Sequence, residues 1–310
     1  MQKIKYLHNY QIDKTKWDYC INHSINKKVY ALSWYLDIVS KNWGGLVYKD
    51  YQLVFPVVFK RFLFFKKVYQ PPFCQQLGSF SFSKDLLENN TIITSILNFL
   101  HKNYYKFQFS VNHDVACYWS QYLSSSNFKY INRVNLELNL HKPYQDIFAN
   151  YHINHKRNLK LSASQNFIIQ SSKDISGFIH FYRRHIGNKL MLNNSAYFIM
   201  HSLITKCFEN NQGNLLSLSD HHNNLLGYVF FISYQNRDIL LFNVSDKTKN
   251  NNIMLALIDY YIQNNHNKLI DFEGSNIPGV KRFYKGFGAT KTIYSTIKIN
   301  RLPFFLRWLK

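Results

Sequence analysis

The sequence predicts an α/β (α+β) protein of two tandem domains, residues 1–141 and 142–310, each a mixed and mostly antiparallel sheet flanked by helices. Three observations carry that prediction. Apolar and polar residues alternate between short polar turns from 214 to 246, the pattern of a strand meander. The period then becomes helical, with Ile253, Leu257, Tyr260 and Tyr261 on one stripe. The same order of elements is legible in the N-terminal half, as a duplicated structural unit requires.

Taken in order, WGGLVYKD (43–50) and YQLVFPVVF (51–59) predict a hairpin turning at Lys49 and Asp50, and FLFFKKVYQ (62–70) a third strand. Residues 84–104 read as one helix with apolar spacing at Leu86, Ile93, Leu97 and Leu100. A strand at 106–113, a helical stretch near 116–125 and a strand at 127–140 complete the first copy. The segment 143–164 predicts an amphipathic helix that exposes Lys156, Arg157 and Lys160 and opens the second domain. A short strand (166–172) and two helices (about 175–187 and 195–210) lead to the meander strands 214–220, 225–234 and 239–246. After the helix that begins near Asn252 come a strand, LIDFEGS (269–275), a short helix from Pro278 to Lys285, and a last strand, TIYSTIKIN (292–300).

Composition bounds what such a chain can do. With 310 residues and 46% of them apolar, it can bury two cores of ordinary size. Nowhere do about 18 apolar residues run together, as a membrane span requires; the densest run, 53–69, is broken by Pro56, Lys60, Arg61 and Lys66. The opening MQKIKYLHNYQIDK lacks the apolar centre of a secretory leader, so the expectation is a cytoplasmic protein. Its tail LPFFLRWLK (302–310), mixing aromatic and basic residues, suits at most a peripheral contact with the inner membrane surface. Cys20, Cys74, Cys117 and Cys207 form no paired motif and read as buried apolar residues. His221 and His222 share a turn, and no metal site is expected. Lys and Arg number 38 against 17 acids, a net charge of +21 that favours polyanionic partners such as RNA, anionic lipid headgroups or phosphate-bearing cofactors. An AT-rich coding bias, which enriches Lys together with Asn, Ile and Tyr, would produce the same excess.

The stretch DFEGSNIPGVKRFYKGFGA (271–289), the meander and helix before it, and the basic NHKRNLKLS (154–162) together carry a family resemblance. The chain resembles the GNAT superfamily of acyltransferases, in the tandem-domain branch that includes the FemABX aminoacyltransferases and the BioF2-like acetyltransferase group. The order of elements covers nearly the whole chain; the motifs cover about the last quarter and the basic helix. Two departures stand out. Acyl-CoA-using relatives lead into the helix after the third meander strand with a glycine-containing loop that cradles the pyrophosphate, whereas SDKTKNNNIM (245–254) has no glycine. The resemblance then implies that Lys247 and Lys249 supply charge, with Asn251 and Asn252 at the helix start. Where relatives often read Arg-Phe-Lys, this chain reads Arg282, Phe283 and Tyr284, which passes the basic role to Lys285.

Acyl transfer to an amine needs a base for the ammonium proton, donors for the oxyanion and a proton for the leaving group. Strand residues two apart share a face, so Asp271 and Glu273 are expected to point together at the acceptor amine. Tyr284 is expected to return a proton, and Lys285 to neutralise an oxyanion or phosphate. Arg157 and Arg282 are candidate substrate contacts, as are Gln75 and Gln76 in QPPFCQQLGSF (70–80), placed by expectation at the domain interface. Gly274, Gly279, Gly286 and Gly288 read as backbone devices. The implied function is an N-acyltransferase moving an acyl group, acetyl foremost, from acyl-CoA to an amine-bearing small molecule or peptide. The alternatives are an aminoacyl-tRNA-dependent aminoacyltransferase acting on a cell-wall precursor, and a binding protein that kept the fold without the chemistry.

Overall fold

The structure, a computed structural model, describes residues 4–62, 65–123, 129–248, 252–274 and 277–302. In chain order the first elements are β1 (Lys5–His8), α1 (Lys14–His23), α2 (Ser33–Val39), β2 (Trp43–Tyr48), β3 (Leu53–Phe62), β4 (Phe65–Val68), β5 (Phe80–Ser81), α3 (Lys84–Glu88), α4 (Asn90–Asn103), β6 (Lys106–Val111), α5 (His113–Leu123) and β7 (Lys129–Asn139). They are followed by α6 (Tyr144–Ala149), α7 (Ile153–Ala163), β8 (Ile168–Ser171), α8 (Ile175–Tyr182), a π-helical turn (Arg183–Gly187), α9 (Asn188–Leu190), α10 (Asn194–Glu209), β9 (Gly213–Ser219), β10 (Leu225–Tyr234), β11 (Arg237–Ser245), α11 (Ile253–Gln263), β12 (Leu269–Asp271), α12 (Pro278–Lys285) and β13 (Thr290–Asn300). The fold is mixed α/β with mostly antiparallel strand pairing, as the sequence predicts.

Two compact units divide the chain: residues 1–133 with 293–310, and residues 134–292. The chain passes from the first to the second within β7 and returns within β13. This partition differs from a boundary at 141/142, because β13, expected to close the second domain, pairs antiparallel with β6 from Ser295↔Val111 to Asn300↔Lys106. The first unit runs β1-β2-β3-β4-β6-β13, with β5 on β3 and β4/β6 parallel. Its core gathers Leu46, Phe55, Val57, Ile96, Phe107, Phe109 and Trp119. β1, α1 and α2, which carry no strong period in sequence, are fixed by packing and caps: Asp13 accepts the Lys16 N–H at 3.1 Å, and the Trp17 indole, fully buried, donates to the Ala31 carbonyl at 2.8 Å.

Two expected helices are each split by a cap. Asn89 ends α3 and accepts the Ile92 N–H at 3.1 Å to start α4, and His152 separates α6 from α7 by accepting the Asn154 N–H at 3.2 Å. Cys20, Cys74 and Cys207 are buried as expected, whereas Cys117 is exposed on α5.

The second unit runs β7-β12-β11-β10-β9-β8, antiparallel throughout except for β11/β12. The three-strand meander, the helix α11 and the short helix α12 stand where the sequence places them. α11 buries Ile253, Leu257, Ile258 and Ile262 against β10 and β11, and Ile270, Phe272 and Phe287 close the same core. Burial of this apolar surface, worth roughly 25 cal/mol per Å2, makes the meander and α11 a rigid platform for what lies at the end of β11.

Candidate functional site

β11 and β12 begin as parallel neighbours and then part. They pair only over Arg237↔Leu269, Asp238↔Ile270 and Ile239↔Asp271. Beyond that point the Phe272 N–H bonds to the Leu136 carbonyl at 3.0 Å, so the chain follows β7 while residues 240–245 of β11 run on without a partner from β12. A V-shaped opening results, with backbone groups on one side. α12 delivers Tyr284 to it: the ring stacks on Phe272 (centroids 4.7 Å apart, 11° between planes) and the hydroxyl accepts the Asn243 Nδ2–H at 3.1 Å. Burial pushes the phenol up to about 12; the Asn243 bond opposes this, and the charge of Glu273 and the neighbouring Tyr182 add to it. A phenol held that high keeps its proton at neutral pH. It can donate a hydrogen bond to a developing oxyanion.

The two acids part company as well. The strand ends at Asp271, and Glu273 has φ +53°, so the shared face that an extended 269–275 would create does not form. Asp271 is buried and both its oxygens are engaged: Oδ2 receives Arg237 Nη1 at 2.7 Å and Oδ1 the Glu273 N–H at 2.9 Å. The same Arg237 Nη1 reaches Glu137 Oε1 at 2.6 Å. Burial opposes the charge of Arg237, and the carboxylates of Asp271 and Glu137 outweigh it, holding the guanidinium above its ordinary value. Asp271 is therefore an anchor of the opening, and of the expected pair only Glu273 stays half-buried beside it. Its neighbour Gly274 has φ +54°, and a Cβ there would lie 2.2 Å from the Val134 carbonyl oxygen. Only glycine lets the chain leave β12 so sharply.

On the other flank the π-helical turn after α8 brings His185 to Asp246, 3.9 Å from Nδ1 to Oδ1, with the imidazole stacked on Phe181 at 4.2 Å. Extra-residue turns of this kind re-aim side chains and recur at functional sites. Asp246 also accepts from the Thr248 N–H at 3.0 Å and its hydroxyl at 2.6 Å. Asn243, Asp246, His185 and Tyr182 were not singled out in the sequence. Their one legible signal is that Asn243 and Asp246 are polar residues closing an otherwise apolar strand.

The candidate cofactor loop is described only at its two ends. Lys249 and Asn251 lie outside the described residues. Lys247 is exposed, and Asn252 occupies the first position before α11 without a side-chain cap bond. The Asp246 carboxylate sits at the mouth of the loop and has taken the Thr248 amide that an anion would need.

The outer face of α12 meets α7 along a groove of about 540 Å3 lined by His152, Asn158, Lys281, Arg282 and Lys285, with no acidic residue in its walls. Arg282 and Lys285 are exposed there, while Arg157 is exposed on α7 outside the lining. His155 forms the floor: it is buried, donates from Nε2 to the Phe283 carbonyl at 2.9 Å, and a Cβ on Gly286 would come within 2.4 Å of its ring. Burial lowers its proton affinity, the Phe283 bond opposes that, and the charge of His152 adds to it. With the folded value below the ordinary 6.5 or so, the unfolded chain binds a proton that the folded chain refuses. Stability is then full above about pH 6.5 and falls as pH drops through the folded value. Melting curves at pH 7.5 and pH 5 should therefore show a larger acid loss for the native chain than for His155→Gln; equal losses would contradict the assignment. Gln75 and Gln76 belong to the first unit. There Gln76 is buried, its Oε1 receiving the His113 N–H at 3.1 Å and its Nε2 donating to Gln75 Oε1 at 2.5 Å, so its amide is spent on packing.

No protein-family model matches the sequence, and no curated protein matches it. Solved structures do. FemX superposes with a TM-score of 0.69 at 11% identity, covering 99% of this chain and 100% of that one. The fold is GNAT-like, of the FemABX type. L-PGS from Bacillus licheniformis matches at 0.55 and 12% over 95% of this chain and 93% of its own, and a tandem GNAT protein from the clavulanic acid biosynthesis pathway at 0.52 and 9% over 97% and 99%. At such identities the likeness is one of fold, and within a GNAT-like fold the chemistry must be argued from the opening at β11.

Proposed function

We propose that the protein transfers an acyl group from an activated, polyanionic donor to an amine. The observation that carries this reading is the parting of β11 and β12, which leaves strand backbone without a β12 partner beside a protonated Tyr284 hydroxyl and near the Glu273 carboxylate. Glu273 would take the proton of the acceptor ammonium as the nitrogen attacks the carbonyl. Tyr284, with backbone N–H groups of β11, would hold the oxyanion that forms. The pair His185 and Asp246 stands at the same strand end, where the imidazole would hand a proton to the leaving group.

For the donor, an aminoacyl-tRNA is favoured over acyl-CoA. A groove without acids on the outer face of α12 suits a phosphodiester chain, while at the start of the loop after β11 the Thr248 amide is already bonded to the Asp246 carboxylate. A donor that binds only the folded chain raises stability by RT ln(1 + [L]/Kd), about 2.7 kcal/mol at a hundredfold excess over Kd. A melting series with CoA, acetyl-CoA, uncharged and aminoacylated tRNA should shift with the tRNAs and lose that shift in Lys281→Ser/Arg282→Ser/Lys285→Ser. A shift with acetyl-CoA instead would restore the acyl-CoA reading. No shift with any of them would leave a binding protein that kept the fold.

A further inference from the structure

The segment from the π-helical turn through the start of α10 in the second unit combines bare apolar side chains with exposed cations. Met191, at the tip of the turn with φ +51°, is 91% exposed; Phe198, on the outer face of α10, is 74% exposed, and Leu190 is 48% exposed. Large apolar groups exposed to this degree within a span of nine residues are unusual unless something covers them. The same segment carries Arg184 and Lys189, both exposed, and Arg183, whose guanidinium lies over the ring of Tyr197, the residue before Phe198, at 4.4 Å. From 175 to 208 the chain contains no acidic residue at all.

We propose that this segment docks on an anionic phospholipid surface, with Met191, Leu190 and Phe198 entering the acyl boundary and Arg184 and Lys189 meeting the headgroup phosphates. Each half of the patch needs what a bilayer offers. Cations alone would suit a nucleic acid, which has no use for an exposed methionine and leucine; apolar groups alone would suit a protein. A second copy of this chain would bring +21 against +21. A bilayer containing anionic lipid supplies hydrocarbon and negative charge at one surface, and short apolar anchors ringed by Lys and Arg are the side chains that hold peripheral proteins there. The assignment is independent of the transfer reaction and of the tail at 303–310, which lies outside the described residues.

Flotation of the full chain with vesicles of phosphatidylcholine, with and without phosphatidylglycerol, tests this. Binding is expected only with phosphatidylglycerol, and should weaken as salt rises. Met191→Ser/Phe198→Ser leaves the net charge unchanged and removes two exposed groups, so melting should not move while the partition coefficient falls at least about tenfold. Arg184→Ser/Lys189→Ser should lower binding and flatten its salt dependence. Undiminished binding by Met191→Ser/Phe198→Ser would place the contact elsewhere, through the tail or through charge alone, and overturn the proposal. So would an absence of vesicle binding, or binding of RNA that needs Arg184 and Lys189 but not Met191.

Discussion

Replacing Arg237 by Met is expected to lower the unfolding free energy by about 3–5 kcal/mol, the cost of stranding buried carboxylates without their cation. Arg237 is the only cation touching Asp271 and Glu137 among the described residues, at 2.7 and 2.6 Å, and those side chains are 2% and 12% exposed. The three residues come from β11, β12 and β7, so the ion triad fastens the three strands at the point where two of them begin to part. Loss of the pairing should show in urea denaturation as a lower midpoint for the transition that reports the second unit. Adding Asp271→Leu to Arg237→Met should recover at least about half of the loss, because a buried apolar residue needs no partner. A single substitution costing under about 1 kcal/mol would mean that the triad behaves as a surface pair and does not hold the opening.

Glu273→Gln should cut turnover by roughly 10²- to 10⁴-fold, the range typical of losing a positioned general base. The change should appear in kcat, with the melting point nearly unmoved, since Glu273 is half-buried at the end of its strand and outside the ion triad. A second readout separates chemistry from folding. The Glu273 charge is one of the causes that raise the Tyr284 phenol, so its removal should lower that titration, visible by NMR in protein carrying ring-labelled tyrosine. Turnover within about threefold of the native chain would remove Glu273 from the reaction and pass the base to His185.

The meander, α11 and α12 were legible in sequence because their apolar residues recur at one period and their ends carry turn or breaker signals, such as Asn223 with Asn224, and Pro278 at the start of α12. Glu273 and the basic residues of α12 were legible for the same reason, being anchored to a strand end and a helix of clear period. The split of 84–104 at Asn89 was not, because a capping asparagine and an asparagine within a helix look alike until the Ile92 N–H finds its acceptor. Nor was the fate of Asp271. Its partner Arg237 stands 34 residues earlier in the chain and Glu137 another hundred before that, a pairing to which local spacing is blind.

By itself the sequence determined the strands of the meander and the helices α11 and α12, because backbone periodicity is a local property set by which neighbours along the chain are apolar. Tertiary structure alone decided that β13 pairs with β6, that Asp271 is an anchor while Glu273 leaves the strand, and that His185 meets Asp246. Each of these depends on strand register and on contacts between residues far apart in the chain, whose free energy exists only once the core around them has closed.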